Sequence, residues 1–142
     1  MELQEWIAEI ESYKFVHRLD LVEEVIPDRI EKIGRNAFQG CTNLSYLDTG
    51  NGIKVIEEST FDGCSNLRSV VVGRNVGVIG EGAFSGCISL RKIRIEGTLK
   101  DIGSRSFNQC HSLSFVECNA STRTTLETVL GRFRDEVTWV EI

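Results

Sequence analysis

Apolar residues return along this chain at a fixed step of 23. Ile33, Ile56, Ile79 and Ile102 keep that step, as do Phe38, Phe61, Phe84 and Phe107. So do Cys41, Cys64, Cys87 and Cys110, and Leu44, Leu67, Leu90 and Leu113. A period in this range is the mark of a solenoid or related repeat array. Each repeat has two apolar clusters. The first is a pair three apart: Ile30 and Ile33, Ile53 and Ile56, Val76 and Ile79, Leu99 and Ile102. The second starts at the leucine and continues with spaced apolar residues, as in Leu67, Val70, Val72 and Leu90, Ile93, Ile95. Between them, Gly40, Gly63 and Gly86 permit a tight bend at positive φ. Asn43, Asn66, Ser89 or Ser112 suits a turn before the leucine. Each repeat therefore predicts a short strand, a tight helical or 3₁₀ turn carrying phenylalanine inward, and a second strand. No repeat can bury its apolar side alone, so stacking must supply the stability.

The ends depart from this pattern. Leu3, Trp6, Ile7, Ile10 and Tyr13 have amphipathic spacing, with Glu2, Glu5, Glu9 and Glu11 on the other face, and this predicts a helix over residues 2–13. A step of 23 back from the first clear repeat also finds Ile7, Ile10, Phe15, Leu21 and Ile26, with Arg18 in the place of cysteine. The segment thus also fits a degenerate first repeat, and both readings hold if the helix closes the stack. At the other end, Leu126, Val129, Leu130 and Phe133 have helical spacing, and Thr124-x-x-Glu127 resembles a capping box. Val137, Val140 and Ile142 repeat the strand spacing one residue later than the step of 23 from Leu113, Val116 and Cys118. The expected organisation is a single domain over 1–142: an N-terminal cap or degenerate repeat at 1–24, four clear repeats at 25–118, and a C-terminal cap or degenerate repeat at 119–142.

IGRNAFQGCTNL and IGEGAFSGCISL, with the looser IEESTFDGCSNL and IGSRSFNQCHSL, resemble the BspA-like leucine-rich repeats across residues 25–118. The resemblance implies an α/β solenoid: a right-handed leucine-rich-repeat array of short parallel strands with helical caps at one or both ends. It also implies protein binding or adhesion at surfaces, since many members are secreted or surface-bound, and it brings no catalytic residues. Members often carry proline after the second strand. Pro27 holds that place here, and Gly50, Gly73 and Glu96 replace it elsewhere.

The net charge of −5 argues against nucleic-acid or anionic-membrane partners, which demand a basic footprint. The apolar runs are far too short for a membrane helix. MELQEWIAEIES lacks the basic and apolar regions of a secretory signal. A cytoplasmic location is expected, or a secreted or surface one if a leader has been removed. Five cysteines occur, with neither a CxxC pair nor metal-ligand spacing. The repeat explains four of them as a ladder of buried thiols. Neighbouring coils stand about 4.8 Å apart, which leaves a disulfide geometrically open.

Other chemistry is weak. The pair Cys110–His111 suggests a nucleophile and base, but sequence neighbours usually point apart and Cys110 is an inward position. Gly77-x-x-Gly80-x-Gly82 matches no phosphate-loop pattern, and Gly80 and Gly82 fall at repeat turns. Arg123, Arg132 and Arg134 form a small basic group that reads as a solvated helix face or a site for an acidic partner. Acidic residues are dispersed rather than clustered. No catalytic, cofactor or metal site is expected.

Contrast between repeats is more informative. The residues flanking the inner apolar residue of the second strand point outward and vary freely. The first outward column runs Glu23, Tyr46, Ser69, Lys92, Phe115, Trp139; the second runs Val25, Asp48, Val71, Arg94, Glu117, Glu141. Phe115 and Trp139 are expected as neighbours. Exposed aromatics beside arginine have the composition of a binding hot spot; the competing reading is that they cover the C-terminal end or pack against its helix. Tyr46, Asp48, Val71, Lys92, Arg94, Phe115, Glu117 and Trp139 are therefore the candidate protein-binding residues of a non-catalytic interaction module. The alternative is a structural or self-assembling unit, either a homo-oligomer or part of a longer adhesin-like array.

Overall fold

A computed structural model of the chain describes residues 1–131 and 135–142. In chain order the strands are β1 (Glu9–Ile10), β2 (Glu23–Val25), β3 (Lys32–Ile33), β4 (Tyr46–Asp48), β5 (Val55–Ile56), β6 (Ser69–Val72), β7 (Val78–Ile79), β8 (Lys92–Ile95), β9 (Asp101–Ile102) and β10 (Phe115–Cys118). The helix α1 (Ala120–Leu130) and β11 (Thr138–Glu141) follow. The strands stack as a solenoid of about six turns. One face is a six-stranded parallel sheet in the order β11-β10-β8-β6-β4-β2; the first strands of the coils pair as β1-β3 and as β5-β7-β9. Every pairing among the described strands is parallel, which follows from a coil that returns in the same direction each time.

The tight turn carries two kinds of hydrogen bond in alternation. The N–H groups of Ala37, Gln39 and Cys41 donate to the carbonyls three residues earlier, each at 3.2 Å. Those of Asn36, Phe38 and Gly40 donate to Glu58, Thr60 and Asp62 on the next coil, at 3.2, 2.9 and 2.8 Å. The turn thus satisfies its own polar backbone while it stacks, as burial requires. Gly40, Gly63 and Gly86 sit there at φ of 69°, 73° and 72°.

The phenylalanines form one column. Phe15, Phe38, Phe61, Phe84 and Phe107 stack at centroid separations of 5.3, 5.4, 5.4 and 5.5 Å, and Phe38, Phe61 and Phe84 are fully buried. Each stacked pair is worth about 0.5–1.5 kcal/mol beyond its area. The cysteines are free thiols, as a buried ladder requires. Cys41, Cys64, Cys87 and Cys110 donate from Sγ to the carbonyls of Phe15, Phe38, Phe61 and Phe84, at 3.1 to 3.3 Å. Each thiol thus bonds the carbonyl of the phenylalanine one coil back. Burial pushes the Cys64 and Cys87 thiols well up and Cys110 to about 12, the opposite of an activated nucleophile.

The expected helix over 2–13 is absent. Ile10 pairs with Ile33 through β1 and β3, Phe15 joins the ring column, and Trp6 stands 78% exposed. The degenerate first repeat holds because Ile10, Phe15, Leu21 and Ile26 have a coil to bury against. A lone helix there would have left Phe38 uncovered. One inward place departs in kind: Glu24 lies in register with Leu47, and its carboxylate meets the Met1 ammonium at 3.1 Å.

The C-terminal helix exists but begins earlier than Thr124. Asn119 is its N-cap, accepting from Thr122 N–H at 2.8 Å. Thr124 is inside the helix, so the Thr124–Glu127 pair is no capping box. Helix α1 replaces the first strand and turn of the last coil. Thr122, 23 residues after Leu99, accepts from Leu99 N–H at 3.0 Å and so continues that ladder with a hydroxyl. Leu126 and Leu130 are buried. Phe133, Arg132 and Arg134 lie outside the described residues.

Candidate protein-binding face of the sheet

Alternation along a strand sends one residue in and the next out. In β6, Val70 and Val72 are buried while Ser69 and Val71 stand half open. Tyr46, Asp48, Lys92, Arg94, Phe115 and Glu117 likewise lie on the outer face, in register across β4, β6, β8 and β10. The structure therefore brings seven of the eight candidate residues onto one surface.

Trp139 is the exception. Strand β11 keeps the strict step of 23, so Phe115 pairs with Thr138, Val116 with Trp139, Glu117 with Val140 and Cys118 with Glu141. The shift of one residue read from Val137, Val140 and Ile142 does not occur. Trp139 shares the inward position of Val116, and Arg123 of α1 stacks over its ring at 4.9 Å. Arg123 also holds Glu127 at 2.8 Å. Trp139 belongs to the helix packing, and Glu141 likewise leaves the outward column. Thr138 and Val140 complete the two columns instead.

The charges of the face neutralise one another. Glu117 on β10 receives Lys92 Nζ at 2.9 Å and Arg94 Nη1 at 2.8 Å from β8, and Arg94 Nε lies 3.7 Å from Glu96. Hydrogen bonds from Lys92 and Arg94 hold the Glu117 carboxyl below its ordinary range. Lys92 and Arg94 are therefore no open anion site. Beside this cluster lie exposed Phe115 at 45% and Val140 at 42%, and at the far edge of the same face, on β2, Val25 at 62%. Burial, and secondarily the charge of Asp48, pushes the Tyr46 hydroxyl above its ordinary pKa. Neither Val25 nor Val140 was singled out by sequence; strict extension of the 23-residue step would have placed Val140 in the second column.

With the coil geometry established, residues 7–130 match the model of the BspA type leucine rich repeat region, in 6 copies. The chain belongs to the BspA-type leucine-rich repeat family. This family generally serves protein interaction or adhesion. No curated protein matches the chain. Solved structures do. A leucine rich cell surface protein from Faecalibacterium prausnitzii is 28% identical, with a TM-score of 0.78 over 89% of this chain and 33% of that one. The T. pallidum leucine rich repeat protein TpLRR is 26% identical, TM-score 0.77, over 95% of this chain and 63% of that one. A leucine-rich repeat protein from Bacteroides ovatus is 25% identical, TM-score 0.66, over 99% of this chain and 41% of that one. The chain thus spans less than two thirds of each. Among the described residues no helix is long and apolar enough to cross a membrane, and no cluster of three or more His, Cys, Asp or Glu offers a metal site.

Proposed function

We propose that this BspA-type chain is a non-catalytic interaction module that binds a protein through the outer face of the six-stranded sheet. One observation carries the reading: exposed Phe115 and Val140 adjoin an internally neutralised Lys92–Arg94–Glu117 cluster on the variable face of an otherwise regular solenoid, and exposed Val25 lies on the same face at its far edge, strand β2. Apolar groups beside satisfied charges suit a partner that buries carbon and meets a polar rim. Tyr46, Asp48 and Val71 extend the same face. The test immobilises the chain and captures binders from source-cell extract. Phe115→Ala with Val25→Ser is expected to lose partners that Ile88→Ser, an exposed change off this face, retains. Equal loss from both variants, or from neither, overturns the assignment.

A second reading, self-assembly, is favoured by one feature. Strands β2 and β11 are both edges of the sheet, and unpaired edges accept another strand. Light scattering across concentration decides it: a constant monomer mass excludes assembly of this chain. For the compartment, the alternatives are the cytoplasm and the cell surface, the second being where the F. prausnitzii neighbour belongs. Surface labelling of intact source cells separates the two.

A further inference from the structure

Most glycines in this chain have a structural reason. Gly40, Gly63, Gly82 and Gly86 take positive φ, and a Cβ at Gly73 or Gly97 would collide with a backbone carbonyl of the preceding coil. Gly77 has neither. Its φ is unexceptional, and a Cβ there would meet nothing within 4 Å. A glycine that no turn or close packing requires often marks a close approach by a ligand or another chain.

Its neighbours suggest what approaches. Gly77 stacks between Lys54 and Lys100, donating to the Lys54 carbonyl at 2.9 Å and accepting from Lys100 N–H at 2.8 Å. The two lysines thus stand astride it, two strand spacings or roughly 10 Å apart. Gly77 lines an open notch of about 620 Å³, into which Arg74 also opens, with the half-buried Val55 and Val78 on its wall. All three cations are exposed, and none is in an ion pair with another described residue. Glu96 also lines the notch, but it is turned to Arg94. Three unanswered cations around one open glycine stand out in a chain of net charge −5.

We propose that this notch, on the flank away from the outer sheet face, docks an acidic peptide segment of a protein partner. Both backbone groups of Gly77 are already used, so the ligand is held by side chains. Lys54, Arg74 and Lys100 meet its carboxylates, and Val55 and Val78 meet aliphatic carbon between them. That mixture favours a segment alternating acidic and aliphatic residues over a uniformly sulfated or phosphorylated chain.

The experiment is fluorescence anisotropy of a fluorescein-labelled peptide alternating glutamate and valine, at low salt, because contacts at exposed charges are screened. Wild type is expected to bind, and Lys54→Glu with Lys100→Glu to weaken binding roughly tenfold or more. Gly77→Val is expected to abolish binding with an unchanged circular dichroism spectrum, since the space is open and valine suits a strand. Phe115→Ala is expected to bind the peptide as wild type does, which separates this site from the sheet face. Failure of wild type to bind, or binding that survives Gly77→Val, overturns the proposal. So does heparin binding that the double lysine variant loses when the peptide shows none.

Discussion

At the N-terminal end the repeat keeps its inward places and adds a small lid. The Arg18 guanidinium lies 5.6 Å from the centre of the Phe15 ring, held there by Asp20 in a two-pronged hydrogen bond at 2.7 and 2.6 Å. Met1, Leu3 and Ile7 are partly buried against the core. At the C-terminal end half a coil is discarded, and α1 lies across the opening with Leu126 and Leu130 buried. Both solutions protect the last phenylalanine: Phe15 is 5% exposed and Phe107 9%. They differ in what they ask of the sequence. A cation over a ring uses one residue of an intact coil. A helix needs apolar spacing, a cap and hydroxyls that answer the open strand, here Thr122 and Thr125 on the backbone of Leu99. The N-terminal end is therefore more of the same repeat, and the C-terminal end is a different structure docked onto it.

If so, the largest effect on this contrast comes from the helix. Leu126→Ala is expected to cost about 2–4 kcal/mol in denaturant unfolding, as for other buried leucines. In a stack whose coils contact only their neighbours, the damage stays local. Hydrogen exchange should accelerate in β9 and β10 while β2 and β4 keep their protection. Uniform acceleration along the chain would show one cooperative unit and dissolve the distinction between the ends.

The thiol ladder compares the interior with both ends. Burial raises Cys41, Cys64, Cys87, Cys110 and Cys118 above the ordinary thiol, with Cys110 at about 12 and Cys118 at about 11. A raised folded-state value means that the stability these thiols give is complete below the unfolded-state pKa of about 8.5. It is lost as pH rises above that, because the unfolded chain releases protons that the folded chain retains. Each thiol contributes a loss of about 1.4 kcal/mol per pH unit until its own folded value is reached. Urea unfolding from pH 8 to 12 is expected to show steep alkaline loss. Cys87→Ala should shallow the slope throughout that range, and Cys118→Ala should shallow it only up to about pH 11. Equal and negligible effects from both would mean that the ladder does not exclude charge.

A smaller effect tests where α1 begins. Asn119→Ala is expected to cost about 1 kcal/mol, whereas Thr124→Ala, inside the helix, should leave stability nearly unchanged. The reverse order would place the helix start at the Thr124–Glu127 pair read from the sequence.

That misplacement shows what the chain discloses and what it hides. The columns of Ile, Phe, Cys and Leu were legible because every coil buries the same places, so selection of residue type repeats with the geometry. At residues 2–13 the same apolar spacing satisfied a helix and a coil alike, and only Phe38, which needs Phe15 above it, decides between them. At the C-terminal strand, strict extension puts Glu136 and Glu141 in the places of Leu113 and Cys118. Polar residues in core places made a shifted register look better. Strand β11 is the edge of the described sheet, and Glu136 and Glu141 are exposed there, where glutamate is tolerated. Trp139 was misassigned for that reason. The seven residues of the sheet face were legible from alternation alone, but the clamp of Glu117 on Lys92 and Arg94 was not, because it joins different coils through side chains.

The smallest expected effect concerns the lid at the N-terminal end. Arg18 and Asp20 are both at the surface, their side chains 47% and 61% exposed, and pairs of this kind contribute little to stability. The Arg18 hydrogen bond nevertheless holds the Asp20 carboxyl down at about 2. A lowered folded-state value means that its contribution is present above the unfolded value near 3.9 and is lost as pH falls from there toward 2. In Arg18→Ala, the Asp20 carboxyl resonance should titrate closer to 3.9 than to about 2, with a small drop in the unfolding midpoint at pH 7 that disappears near pH 2. Hydrogen exchange around Phe15 then reports whether the cation shields the ring column. If protection there is unchanged, the N-terminal end is closed by Met1, Leu3 and Ile7, and the two ends are alike in relying on apolar cover.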